Sequence, residues 1–244
     1  MIAAAALCPC PPLLAAELTG QADILPDLRA ACAAAVTSLL ASGPDLVAVV
    51  GPAEASGTWD PAGQLGLARY APALRPAGPL AAGHGAGPAA VAPPLPLALG
   101  VGALLLGNAG YAGPRIIVGV AGSEPPAACL ALGEKIAVSA PRVALLAVGD
   151  GSARRSPSAP GYLDERAEPF DESVAHAVRD GDLPALAALD PDLAADLMAA
   201  GRPAWQTLAG ALLAGGSSVP PQTEIRYCDA PLGVAYLVAN LIPR

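Results

Sequence analysis

The sequence predicts an α/β protein: a three-layer α/β/α sandwich around a mostly parallel or mixed sheet, with a helical C-terminal third and a final β-hairpin. Three observations predict it. Short continuous apolar runs alternate with helical-period segments, the pattern of strands covered on both faces and joined by crossover helices. Hydrophobic residues make up 54% of the 244 residues, enough for a sizeable core. Aromatic residues make up only 3%, so that core must be built from Ala, Val and Leu with close backbone approaches. The length suits one domain over 1–244, without internal repeat or linker.

Ile2 to Leu7 reads as the first strand and Cys8 to Ala16 as a Pro-rich turn. Pro26 opens a helix at its first turn, where a missing N–H costs least. Leu28, Cys32, Val36 and Leu39 recur at helical spacing, and Gly43-Pro44 ends the helix. Leu46 to Val50 is an unbroken apolar run, read as a buried strand that Gly51-Pro52 stops. Between 53 and 94 Pro and Gly recur, and only Gly66 to Tyr70 hints at a strand. Leu95 to Leu106 predicts a buried helix, shorter than the roughly 20 residues that span a bilayer. Arg115 to Ala121 is a strand, Glu124 to Val138 a helix and Val143 to Val148 another buried strand. That last strand feeds the polar loop Gly149-Asp-Gly-Ser-Ala-Arg-Arg155. Helical patterns follow over Phe170 to Val178, Leu183 to Leu189, Leu193 to Ala200 and Ala204 to Leu213. Asp190-Pro191 supplies a cap and a first-turn proline. Thr223 to Cys228 and Val234 to Val238 end the chain as strands able to form a hairpin.

The net charge of −8 argues against nucleic acid and against an anionic membrane surface as partners. One lysine, Lys135, stands against twelve arginines, a codon bias of GC-rich genomes. Cys8, Cys10, Cys32, Cys129 and Cys228 are odd in number and scattered, which suits reduced thiols in a cytoplasmic protein. Cys32 and Cys129 fall within apolar helical patterns and read as small hydrophobes. Met1 to Leu7 lacks the basic start of a signal peptide and reads as buried strand.

In open α/β sheets ligands collect at the carboxyl ends of strands. The loops beginning at Cys8, Gly51 and Gly149 occupy that place. Asp150, Ser152, Arg154 and Arg155 are candidate pocket residues there, with Ser152, Arg154 and Arg155 as ligand-binding candidates for a small anionic or aromatic ligand. The alternative is a structural loop in which Asp150 accepts backbone N–H bonds. Ser152 has no histidine placed by sequence to activate it, and Gly149-x-Gly151 lacks the third glycine of a dinucleotide fingerprint. His84 lies in a Gly83-His-Gly85 loop, free to fold over a pocket or remain on the surface. His176 falls off the Phe170, Val174, Val178 face and should meet solvent. Trp205 reads as core or pocket wall, and Asp164, Glu165, Arg166 and Glu168 as a solvated charged turn.

Several segments, in order, resemble the subunit-B (LigB/Memo-like) superfamily of class III extradiol ring-cleavage dioxygenases. They are Cys8-Pro-Cys-Pro-Pro-Leu-Leu14, Val49-Val-Gly-Pro52, Gly149-Asp-Gly-Ser-Ala-Arg154 and Gly161-Tyr-Leu-Asp164 with Phe170-Asp171. Leu189-Asp-Pro-Asp-Leu193, Trp205 and Asp229-Ala-Pro-Leu-Gly-Val-Ala-Tyr236 complete the series, which spans nearly the whole chain and looks most like an actinobacterial branch. The resemblance implies two histidines and a carboxylate holding Fe(II), with a third histidine for acid–base work. Here Cys10, Ala53 and Ala153 stand at the three histidine positions, with Glu54 beside the second, and Asp229 stands at the metal-binding glutamate. Only His84 and His176 exist in the chain, too few for such a site.

Two readings follow. One is a divergent family member with a degenerate metal site, acting as a non-dioxygenase binding or partner protein. The other is a metal-dependent enzyme that uses Cys10, Glu54 and Asp229 as replacement ligands, for Zn or Fe(II), with Zn suiting a thiolate better. A true ring-opening subunit would need a partner chain to supply histidines. A Cys8–Cys10 thiolate pair is disfavoured by the expectation that Pro9 and strand geometry turn the two side chains apart. The protein partner and any homo-oligomer stay open.

Overall fold

The computed structural model describes residues 1–19, 22, 24–67, 70 and 94–244. Its centre is a seven-stranded mixed sheet. The strands are β1 (Ile2–Cys8), β2 (Leu46–Ala53), β3 (Gly57–Trp59), β4 (Arg115–Ala121), β5 (Val143–Val148), β6 (Gln222–Asp229) and β7 (Tyr236–Ile242). They lie in the order β3-β4-β2-β5-β1-β7-β6. β4, β2, β5 and β1 are parallel, whereas β3 and the β6–β7 hairpin join antiparallel at the edges.

The four parallel strands are apolar on both faces because both faces are covered. One face carries α2 (Pro26–Leu40) and α3 (Leu97–Asn108), the other α4 (Pro126–Ala137), α5 (Ala167–Asp180), α6 (Leu183–Ala187), α7 (Pro191–Asp196) and α8 (Arg202–Leu213). A single turn, α1 (Ala16–Thr19), follows β1. Two core clusters result, split by the sheet. Among the described residues no helix is long and apolar enough to cross a membrane.

The strands and helices expected from apolar period are present, with several differences; among them, the helix expected over Leu193 to Ala200 stops at Asp196, before Met198 at φ 56°. β3 was not anticipated: three residues carry no period, and the strand exists only through its pairing with β4. β7 runs on to Ile242, past the polar Asn240, which is buried with both amide atoms bonded. The strand hinted at over 66–70 includes residues outside the described set, and Gly66 and Leu67 are not in a strand. Cys8 and Cys10 were expected to diverge but share one core cluster, as residues two apart on extended chain do.

Small residues set the closest helix contact. A Cβ on Gly133 of α4 would overlap Thr207 O and lie 2.5 Å from Ala211 N, and one on Gly210 of α8 would lie 2.6 Å from Leu130 Cα. Backbone cannot yield as a side-chain tip can. Gly133→Ala should therefore destabilise by about 2 kcal/mol or more in urea unfolding. Gly107→Ala on α3, where a Cβ meets nothing within 4 Å, should be neutral or stabilise by about 0.5–1 kcal/mol.

Candidate functional site

Strand order decides where a site can form. β5 lies between β1 and β2, so the loops leaving Cys8, Gly51 and Gly149 emerge side by side. The 149–155 loop crosses above them. Its backbone is bonded in both directions: Gly149 N donates to Cys8 O (2.9 Å), Gly151 N to Ala235 O (2.8 Å) and Arg155 N to Gly233 O (3.0 Å). Ala235 N donates to Ser152 O (2.8 Å), Ala153 N to Leu197 O (3.0 Å) and Gly201 N to Asp150 O (2.8 Å). The loop thus ties β5 to the β6–β7 turn and to the start of α8. A Cβ at Gly149 would lie 2.5 Å from Gly201 Cα, so only glycine permits this approach.

Two carboxylates organise the loop. Asp150 Oδ1 accepts from Cys10 N at 2.7 Å, joining the first and third loops. Burial raises its pKa from 3.8 to about 6, against the lowering effect of the Cys10 bonds. Burial and then the Asp150 charge push the Cys10 thiol up, which disfavours a thiolate ligand or nucleophile. Asp171, in the first turns of α5, accepts from Ser152 N (2.9 Å), Ser152 Oγ (2.5 Å) and Arg155 Nη1 (3.4 Å). Burial raises its pKa too, opposed by those bonds. Arg155 also meets Glu168 at 2.6 Å.

The ligand-binding expectation for Ser152, Arg154 and Arg155 divides accordingly. Ser152 is fully buried and bound to Asp171, so it offers nothing to a ligand. Arg155 is paired on two sides. Arg154 keeps its guanidinium without an ion pair or hydrogen bond among the described residues, and its Nε is buried. Asp171 is the organising residue that sequence reasoning missed. The only signal was its place beside Phe170 in the matched Phe170-Asp171 segment.

The replacement metal set does not assemble. Cys10 is buried in the cluster beneath α2 and α3, Glu54 is exposed beyond β2, and Asp229 is exposed at the end of β6. Among the described residues no three His, Cys, Asp or Glu side chains converge as metal ligands, so Cys10, Glu54 and Asp229 do not fit Zn or Fe(II). His84 lies outside the described residues. His176 is exposed as expected, Trp205 is buried, and Cys32 and Cys129 are buried hydrophobes.

An open cavity of about 350 Å³ lies between α5 and the turn end of the β6–β7 hairpin. Arg155, Asp171, His176, Cys228 and Asp229 line it, with Trp205 among its apolar lining residues. Asp229 belongs to this cavity and Cys10 and Asp150 do not. The cavity borders the 149–155 loop through Gly151 and Arg155 and reaches the edge strand β6 at Cys228 and Asp229, without including Cys10 or Asp150.

No protein-family model matches the chain, and no curated protein matches it. Among solved structures it is similar to the uncharacterized protein JW3007 from Escherichia coli K12, with 16% sequence identity and a TM-score of 0.48. That match covers 98% of this chain and 99% of the other.

Two predictions follow from the carboxylates. An acid with a raised folded pKa holds its proton more tightly in the folded protein, so its contribution is most favourable below the unfolded value and is lost as pH rises through the folded one. For Asp150 that window runs from 3.8 to about 6. The gap corresponds to roughly 3 kcal/mol, which partial solvent contact reduces to about 2. Asp150→Asn keeps an acceptor for Cys10 N and cannot ionise. Its stability relative to the parent should rise by about 2 kcal/mol between about pH 4 and about pH 7 in urea titrations. Asp171→Ala strands two Ser152 donors and an arginine, and should cost about 3 kcal/mol in the same assay.

Proposed function

We propose that this chain is a divergent class III extradiol dioxygenase-like protein that no longer carries out ring cleavage and works by binding a partner or ligand. The observation that carries the reading is the closure of the carboxyl-end crevice. Cys10 is 4% exposed and Ala153 8% exposed, at two of the positions where the resemblance implies histidines. The loop that carries Ala153 and crosses above Cys10 is bonded along its length to the β6–β7 turn, the start of α8 and α5. A facial triad needs three convergent ligands and open coordination positions, and neither the donor set nor the space around Cys10 supports one. The acidic surface favours neither nucleic acid nor anionic membrane as the partner. Reduced, mostly buried cysteines agree with a cytoplasmic protein.

Elemental analysis of untagged protein, produced with iron and zinc supplied, tests the reading. The expected result is folded protein with well under one metal ion per chain and no oxygen uptake with catechol. Stoichiometric iron or zinc that disappears in Asp229→Ala would sink it and restore the enzyme reading.

A further inference from the structure

We propose that the surface around Arg154 docks an apolar segment of a partner protein that carries a carboxylate; this rests on the partner-binding reading above. Arg154 Nε is the buried side-chain polar atom left without a hydrogen bond among the described residues. Its neighbours are satisfied: Arg155 is paired with Glu168 and Asp171, and Arg166 with Asp164 and Asp196. Asp164 is near enough for its charge to be felt by Arg154, but its carboxylate is taken by Arg166, whose hydrogen bonds hold it at about pKa 2. The Nη groups of Arg154 are neither buried nor hydrogen-bonded among the described residues, so in a chain of net charge −8 that edge of the guanidinium is open to an anion from outside.

The side chain is held in place rather than loose. A Cβ on Gly161 would lie 2.7 Å from Arg154 Cγ, 3.0 Å from its Nε and 2.7 Å from Met198 Sδ, so the arginine stem and the Met198 thioether pack onto that glycine. Large apolar side chains are exposed on the adjoining chain, alongside the charged Asp164 and Arg166. Tyr162 is 75% exposed, Leu163 54%, Met198 46% and Leu232 44%. Leu232 precedes Gly233, where a Cβ would meet Ser156 and Ala159, and Tyr162 N bonds Ala159 O. Tyr162 and Met198 hold φ of 59° and 56°, a conformation that costs energy for non-glycine residues. An arginine packed beside Met198, with exposed Tyr162 and Leu163 next along the chain, has the composition of an interface centre.

The occupant follows from shape and charge. Arg154 lines neither the α5–hairpin cavity nor the groove beside Glu165 and Leu193. A planar guanidinium matches a carboxylate in two parallel hydrogen bonds. The exposed collar needs apolar side chains beside that carboxylate. An Asp, a Glu or a chain terminus flanked by Leu, Phe or Tyr supplies both.

The test uses the full chain, immobilised and panned against a random-peptide display library. Enriched peptides should carry a carboxylate beside apolar residues. One such peptide, synthesised and titrated by calorimetry, should bind Arg154→Gln about tenfold more weakly, and its own Glu→Gln version should lose about as much. Met198→Glu should also weaken binding, which covers the case in which Arg154→Gln fails to fold. Arg115→Gln, at the opposite end of the sheet, should bind as the parent does. Peptides without a carboxylate, or affinity unchanged in both site variants, would overturn the proposal. So would a concentration-dependent dimer abolished by Arg154→Gln, since that assigns the surface to a second copy. Stoichiometric metal would sink the non-dioxygenase reading without altering these affinities, so the two failures are separable.

Discussion

The loop after β5 depends on two buried carboxylates, and the carboxyl end of the sheet depends on that loop. Asp150 fastens it to the turn after β1 through Cys10 N, and Asp171 fastens it to α5 through Ser152 and Arg155. Burying a carboxylate is costly unless donors surround it. Here the donors are largely backbone N–H groups and one serine, and the acid groups answer with raised pKa values rather than with open coordination sites. The same bonds that make the loop rigid also close the crevice beneath it.

Glycine is what makes this closure possible. At Gly149 the loop approaches Gly201 at a distance no side chain would allow, and at Gly151 a Cβ would lie 2.8 Å from both Ala235 Cβ and Asp171 Oδ1. A core poor in aromatics reaches native packing through such approaches, with Ala and Gly at the contacts and Leu and Val filling between them. The α4–α8 contact around Gly133 and Gly210 repeats the principle on the helical layer. The cost is intolerance: one added methyl group at Gly149, Gly133 or Gly210 meets backbone rather than a movable side chain.

Much of this was legible in the sequence. β1, β2, β4 and β5 are apolar runs bounded by Gly and Pro because each is covered on both faces, and period alone reveals such strands. β3 and the far end of β7 were not legible. Gly57-Thr-Trp59 acquires strand geometry only from β4, and Asn240 interrupts the apolar run while its amide bonds Ala35 O and Arg226 inside the fold. That three strand-end loops emerge side by side was also legible, since the strand order sets β5 between β1 and β2. Their wiring was not. Ser152 reads as an accessible loop hydroxyl until Asp171, on a helix whose other face is apolar, reaches it. Cys10, Glu54 and Asp229 were grouped by the resemblance, whereas the fold sends them to the core, to solvent and to the edge cavity.

With its amides bonded to β1, the β6–β7 turn, α8 and α5, the carboxyl-end loop is part of the core rather than a mobile cover over a pocket. Native-state hydrogen exchange reads this directly. The amides of Cys10, Gly151, Ser152, Gly201 and Ala235 all donate within the stitched loop or onto it. If the loop is core, they exchange only by global opening, with protection like that of the β5 amides. Exchange orders of magnitude faster than β5 would mean that the loop opens by itself, and the closed-crevice account would be wrong.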